Sequence, residues 1–369
     1  MQRCLKIVIR LFWYQKLLRG QVLRAYLRLL IVLLMFMYQN VARPNQLKKL
    51  VTVFLLWKKI SSLQPIRQRL NSQVYREPWK GEDRLNKLFR RPYEFFQVTG
   101  ETQQSFFQLF EKIQDRIPKL PSKISQENKL CLVLMWLRCY PNSSLLSSIF
   151  LVSITDISRC LRSMWPLLLD VVKEEIKWPT RREWTRLKNS WPDLPGVVGA
   201  IDGTSHKIQK PLENQRKFYS GCRKYHCVHS QILIDSELNI RYVSSGFYGH
   251  LNDAQTFREL PEFGEHNLNY YMPPNCWVLA DKIYPCIKPL ITPYRKNQIP
   301  KNDLNEARRR NLFNDLIVAH RVYVEHVIGR LKQYRIIGSV YRHDITELGR
   351  IVYLCACLTQ RRVELLDKI

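Results

Sequence analysis

The hydrophobic pattern of this 369-residue chain changes its period near Trp178, and no other feature limits its folds as strongly. Upstream, apolar residues recur at helical spacing. After "WPDLPG" they come in strand-like runs: "VVGAI", then "HCVHSQILID", "IRYVSSGFYG" and "NCWVLADKIY", rich in β-branched and aromatic residues. Between the third and fourth runs lies "NDAQTFREL", a short helical pattern with Asn252 as its expected N-cap. From "KNDLNEARRR" to about Gln333 the spacing is helical again.

The upstream helices carry their own start and stop signals. In "TGETQQSFFQLFEKIQDRI", Thr99 or Thr102 serves as N-cap, and Phe106, Leu109, Phe110 and Ile113 form the stripe that Pro118 ends. A second helix fits "SQENKLCLVLMWLRCY". Two more, "SSLLSSIFLVS" and "SITDISRCLRSMWPLLLDVVKEEI", meet at Ser153, a plausible cap. A pair of helices joined by a capped turn is the pattern of a helix-turn-helix, which can set its second helix in a DNA groove, and also that of any packed helix pair.

The strand order of the second half matches a ribonuclease H-like fold, with three antiparallel strands and a fourth parallel after a crossover. An acid on the first strand and one at the end of the fourth then lie side by side. These are Asp202, in "GVVGAIDGT", and Asp281, in "LADKIYP". A third acid is expected from the later helix, and Glu325 in "AHRVYVEHVIGRLKQY" is the candidate. There Val324, Val327, Ile328 and Leu331 make an apolar stripe, while Arg321, Glu325, Gly329 and Lys332 fall on a neighbouring one. Gly329 costs about 1 kcal/mol in a helix interior, which suggests the close approach of another group. Converging carboxylates repel unless cations sit between them, and hard oxygen ligands select two divalent ions, Mg²⁺ or Mn²⁺. Each acid also has a plainer reading: Asp202 as an Asp-Gly turn residue, Asp281 as a cap, Glu325 as a partner of Arg321.

Charge points to a polyanionic partner. The chain has 59 Lys and Arg against 31 Asp and Glu, a formal net charge of +28, which favours DNA through phosphate contacts and counterion release. Lys207, Lys210, Arg216, Lys217, Arg223, Lys224, Arg321 and Lys332, all near the acids or following them, suit a nucleic-acid backbone. Residues 1–76 hold 15 basic residues and no acid. Their apolar run "LLIVLLMFMY" is ten residues long, about half of a bilayer span, so a membrane is not expected. The same stretch has features of a signal peptide or a mitochondrial presequence, or is simply a basic extension. The ten cysteines include no CxxC pair, consistent with free thiols in a reducing compartment. The spacing of Cys222, His226, Cys227 and His229 fits no common zinc site, and His226 points to the face opposite Cys227 and His229.

Four blocks then carry a family resemblance: "GVVGAIDGTSHKIQKP", "FYSGCRKYHCVHSQILIDSELNIRYVSSGFYGHLNDAQTFREL", "WVLADKIYPCIKPLITPYR" and "LFNDLIVAHRVYVEHVIGRLKQYR". From about residue 90 to 360 the chain resembles PIF/Harbinger transposases and the nucleases derived from them. The resemblance implies a metal-dependent DDE nuclease with Asp202, Asp281 and Glu325 as catalytic metal ligands, Asp253 as a lower-ranked fourth ligand, and a Myb/SANT-like DNA-binding partner. Departures from the family pattern are Lys282 and Ile283 after the second acid, Asn252 where the family has histidine, and Ile328 where it has an aromatic. Lys282 is placed to compete with metal.

The fold class expected is α/β, a ribonuclease H-like catalytic domain with a mixed sheet flanked by helices, preceded by an all-α, helix-turn-helix-like region. The division is a basic extension at 1–89, a helical DNA-binding region at 90–180, the nuclease domain at 181–345 and a C-terminal helix at 346–369. The expected activity is cleavage of DNA phosphodiesters at element ends. The alternative is a domesticated, non-catalytic DNA-binding or adaptor protein that retains the fold. Expected partners are DNA, the Myb/SANT-like protein and, as an option, a second copy of the chain. The expected location is the nucleus, with the mitochondrion as the alternative.

Overall fold

Helix caps and strand pairing fix the element order. The computed structural model describes residues 84–118 and 124–366. The acid-free basic stretch, with its apolar run and every expectation about targeting, lies outside the described residues. Among the described residues the first helices are α1 (Arg84–Phe89), α2 (Pro92–Thr99), α3 (Gln103–Ile113) and α4 (Gln126–Cys139). Of the two candidate caps for α3 it is Thr102 that accepts the Ser105 N–H, and Ser125 does the same for Asn128 on α4. Every residue of α4 from Leu130 to Arg138 is buried, as expected of a helix that is apolar all round.

Next come α5 (Ser143–Phe150) and α6 (Ile154–Val172). Asn142 caps the first, Leu151 turns the chain in the left-handed region at φ 53°, and Ser153 caps the second through the Asp156 N–H. The chain bends by 100° between them, within the range of about 90–120° for a helix-turn-helix. Among the described residues no single helix is long and apolar enough to cross a membrane.

Helix α7 (Arg181–Leu187), opened by a Thr180–Glu183 capping box, leads into the sheet. Its elements are β1 (Val197–Lys207), α8 (Gln215–Phe218), β2 (Tyr219–Ser220), β3 (Tyr225–Asp235), β4 (Ile240–Tyr248), α9 (Asp253–Arg258), β5 (Trp277–Leu279) and β6 (Leu290–Ile291). The chain closes with α10 (Leu304–Leu331), α11 (Arg335–Gly338) and α12 (Ile345–Leu366). Strand β3 pairs antiparallel with β1 on one side and with β4 and β2 on the other. Strand β5 pairs parallel with β1, and β6 parallel with β5. The sheet is mixed, in the strand order read from the sequence, with β2 and β6 as short additions.

Strand β1 differs from its sequence reading in length. The Asp202-Gly203 pair is not a turn: the strand runs on to Lys207, with Asp202 opposite Ile232 and Gly203 opposite Gln231. Strand β3 offers a register partner for every residue from Gly199 to Lys207, so backbone pairing outweighs the local turn preference of Asp-Gly.

Alternate residues of the central strands enter two separate cores. Ala200, Ile232, Ile234 and Leu279 join the preceding helices, α10 and α12 in one continuous cluster. Val198, Ile201, Leu233, Val278 and Ala280 face the other way, under Trp184, Leu187, Phe263 and Tyr284. Helix α10 seats Val324, Val327 and Leu331 of the expected stripe on the first face and adds Ile317, while Ile328 is only partly buried. Gly329 does not meet a close neighbour; a side chain there would find open space.

His206 on β1 is fully buried on that first face. Its Nδ1 lies 3.1 Å from the Ile337 carbonyl, which can only accept, so Nδ1 carries the proton; Nε2 lies 2.9 Å from Ser230 Oγ. Burial pushes its pKa down to about 3. The unfolded imidazole, with an ordinary pKa, therefore takes up a proton that the folded one refuses, and stability falls as pH drops below about 6.5. The expected contribution is about 1.4 kcal/mol per pH unit. Urea unfolding of wild type and His206→Gln between pH 7 and 4.5 checks it: the difference between the two proteins should shrink as pH falls, and a constant difference contradicts the assignment.

Candidate active site

Pairing of β1 with β5 aligns two acids. Ala200 and Leu279 are register partners in the parallel pair, and two residues beyond each lie Asp202 and Asp281. Asp281 opens the turn after β5: its Oδ1 accepts the Lys282 N–H at 2.7 Å and its carbonyl accepts the Tyr284 N–H at 2.9 Å. Helix α10 crosses the same face of β1 as Ala200, and strand alternation puts Asp202 on that face. Glu325 stands one residue past Val324, which anchors the helix there.

The three acids meet at Arg321, one turn before Glu325 on α10. Its guanidinium lies 3.4 Å from Asp202 Oδ1, 3.7 Å from Asp281 Oδ1 and 3.9 Å from Glu325 Oε1. The Arg321 side chain is only 11% exposed, against 56% for Glu325. Burial raises the pKa of Asp202 to about 6; Arg321 and the Gly203 N–H pull it down, while Asp253 and Glu325 push it up. A cluster of carboxylates thus surrounds one cation. The sequence placed Arg321 among the DNA-facing residues and named Lys282 as the competing cation; the structure turns Arg321 inward onto the acids instead. Among the described residues no ion pair reaches the exposed Lys282 ammonium.

The donor set is hard oxygen, suited to Mg²⁺ or Mn²⁺. The guanidinium already marks the point of convergence as a cation site. Among the described residues no three His, Cys, Asp or Glu side chains are grouped closely enough to hold a metal as they stand. The three carboxylates stand around a guanidinium at 3.4–3.9 Å, farther out than the about 2.0–2.1 Å of oxygen ligands on Mg²⁺. Cys227 and His229 are buried with Sγ 3.8 Å from Nε2, but Nε2 also faces the Gly249 carbonyl at 3.1 Å, while Cys222 is exposed, so the four do not gather at one point.

Asp253 takes a different position from the triad. It is the first residue of α9, and Asn252, not Asp253, is the cap, in a reciprocal box with Gln255. Its carboxylate presses on Gly203, where a Cβ would fall 1.9 Å from Oδ1. Residues 202 and 203 alternate across the strand, so Asp253 sits on the face opposite Arg321 and Glu325. The small residue after Asp202 therefore makes room for Asp253. Burial raises the Asp253 pKa, with His229 and Arg223 opposing and Asp281 adding to it.

Sequence reasoning missed the residue that holds Asp253. Gln231, fully buried on β3, donates to Asp253 Oδ1 at 3.4 Å and to Thr256 Oγ1 at 2.5 Å, and accepts from the Tyr284 hydroxyl. Both amide hydrogens and the carbonyl are used, and the web ties α9 and the turn after Asp281 to the sheet. The available signal was a lone amide among the apolar residues of "HSQILID".

The remaining basic residues divide by exposure. Lys207, Lys210, Arg216, Lys217, Arg223 and Lys224 are exposed and all lie between the end of β1 and the start of β3. Lys207 Nζ sits over the Tyr225 ring at 5.3 Å and Lys217 Nζ over Tyr248 at 5.3 Å, leaving the charges at the surface. Lys332 is half-buried and donates to the Ser205 carbonyl at 3.1 Å, so it braces α10 on β1. On α6, Arg159 and Arg162 are exposed, with Arg159 paired to Asp156 at 3.1 Å.

The packing at Gly203 generates a test. Gly203→Ala drives a methyl group into Asp253 and into the Gln231 amide, and overpacking of this kind costs about 1–3 kcal/mol. Denaturant unfolding should show that loss, and Gly203→Ala combined with Asp253→Ala should recover part of it. No recovery means that the clash lies elsewhere.

Residues 201–360, from the end of "VVGAI" through most of α12, match the family model described as DDE superfamily endonuclease. Residues 122–174, which include α5 and α6, match the one described as helix-turn-helix of DDE superfamily endonuclease. The chain is 23% identical over 265 residues to a protein of Microchaete diplosiphon described as a probable transposase for insertion sequence element IS702, covering 69% of this chain and 89% of that protein. No solved structure matches. The protein thus carries an endonuclease domain of the DDE superfamily, preceded by the helix-turn-helix domain that accompanies it.

Proposed function

We propose that the protein is a transposase-type nuclease of the PIF/Harbinger kind that cleaves DNA phosphodiesters with Mg²⁺ or Mn²⁺, on a ribonuclease H-like sheet. The observation that carries this reading is the meeting of Asp202, Asp281 and Glu325, from a strand, the turn after a second strand and a helix, around a single cation. Nothing in folding requires three acids from distant segments to share one point, and their mutual repulsion opposes it. In this reading the three carboxylates hold the metal, and Asp253 acts through Asp202 and Asp281 from behind the sheet. When bound, two divalent cations supply charge to stabilise the leaving oxygen and to activate water.

The chain's own groups set the substrate. The exposed cations from Lys207 to Lys224 form a phosphate-binding edge. Strand rise places Lys207 about 17 Å from Asp202, so a duplex held at that edge reaches the acids. Helix α6 is the part proposed to enter a groove, with a Myb/SANT-like partner assisting end recognition in the nucleus. The freed 3′-hydroxyl would then serve as the nucleophile for insertion.

A second reading, a DNA-binding or adaptor protein without catalysis, is favoured by one observation: the acids face Arg321 instead of an open site. Two measurements separate the readings. Metal-dependent nicking of DNA bearing the element ends should vanish in Asp202→Asn and in Glu325→Gln; nicking that survives in both removes the assignment. Calorimetric titration of wild type with Mn²⁺ should show binding that Asp281→Asn abolishes, whereas no binding at millimolar metal supports the adaptor.

A further inference from the structure

Arg321 is held among three carboxylates without a close contact to any of them. A buried guanidinium is ordinarily secured by short, paired hydrogen bonds at about 2.7–2.9 Å. Here its three carboxylate approaches are all between 3.4 and 3.9 Å, and its Nε is buried without a hydrogen-bond partner. The net result is a cation kept in place by field more than by fit. Three acids share its single positive charge, while Asp253 lies on the opposite face of the strand with Arg223 and His229 acting on it. Arg361 and Arg362 also bury an unpartnered Nε, but Arg361 still has a close carboxylate at 3.0 Å, and Arg241 and Arg310 reach theirs at 2.6 and 2.7 Å.

We propose that Arg321 is a resident stand-in for the metal: it holds the three carboxylates together before metal enters, and its guanidinium must leave their midst for the divalent cations to be bound. The inference rests on the metal-dependent reading above. It makes Arg321 a positioning residue that sets how tightly the site takes metal. The arrangement has a geometric route, because Arg321 and Glu325 sit one turn apart on the same face of α10. The long side chain can swing along the helix while Glu325 stays. It also has a purpose in the metal-free protein, where carboxylates converging without a cation would repel. A small ion of double charge fills the same point with shorter contacts, so guanidinium and metal exclude one another.

The test is Mn²⁺ titration of the full chain by calorimetry, with thermal unfolding followed at each metal concentration. Arg321→Gln removes the competing charge and should bind Mn²⁺ about tenfold tighter than wild type or more. Arg321→Lys, which keeps the charge, should stay within about threefold of wild type. Without metal, Arg321→Gln should melt below wild type, and Mn²⁺ should raise its midpoint more than that of wild type. Should Arg321→Gln fail to fold alone, folding restored by millimolar Mn²⁺ supports the proposal, and a chain still unfolded there overturns it. Equal or weaker Mn²⁺ affinity in Arg321→Gln also overturns it, provided wild type binds. If wild type and Arg321→Gln both fail to bind, the metal-dependent reading itself is lost.

Discussion

Carboxylates cannot gather in a half-buried site without positive charge among them, and the architecture around Asp202 follows from that constraint. Strand β1 carries the first acid between two partner strands, β5 delivers the second beside it, and α10 brings both the third acid and the arginine that makes the gathering tolerable. Coulomb attraction at these separations is worth several kcal/mol at the effective dielectric of a partly buried site, less the cost of desolvating each charge. Burial prevails at Asp202, whose pKa stands near 6 despite Arg321. A group poised in that way responds strongly to any change in the cations around it.

The rest of the fold serves to hold those elements in register. Both faces of the sheet are covered: α10 on β1 and α12 on β4 close one, while Trp184, Leu187, Phe263 and Tyr284 close the other. The second face also carries a polar web in which Gln231 spends every hydrogen-bonding atom on Asp253, Thr256 and Tyr284. A fully satisfied buried network of this kind restricts the loops on either side of the site to one arrangement. Lys332 adds a strap from the end of α10 to the β1 backbone. The helices before the sheet share its main core, so the helix-turn-helix is anchored to the same body as the acids.

Much of this could be read from local sequence. Ser153 and Asn252 each cap the helix that their spacing indicated, and Thr102 is the one of its two candidates that does so, because a cap needs only the next three residues. The strand order, and with it the pairing of Asp202 with Asp281, followed from the succession of apolar runs. What could not be read depends on alternation and on distant partners. Asp-Gly at 202–203 has the composition of a turn, and only the unbroken register with β3 makes it mid-strand. That register sends Asp202 and Gly203 to opposite faces, which separates Asp253 from Glu325. Arg321 is one cation among 59 Lys and Arg in the sequence. Its role emerges only when α10 lies across β1.

The central claim is that the point now held by the Arg321 guanidinium is where divalent metal binds. Anomalous diffraction from crystals soaked in Mn²⁺ tests this directly. The account predicts Mn²⁺ density between Asp202, Asp281 and Glu325, with the Arg321 side chain displaced outward. Mn²⁺ found only elsewhere, with the guanidinium still among the three acids, would contradict it.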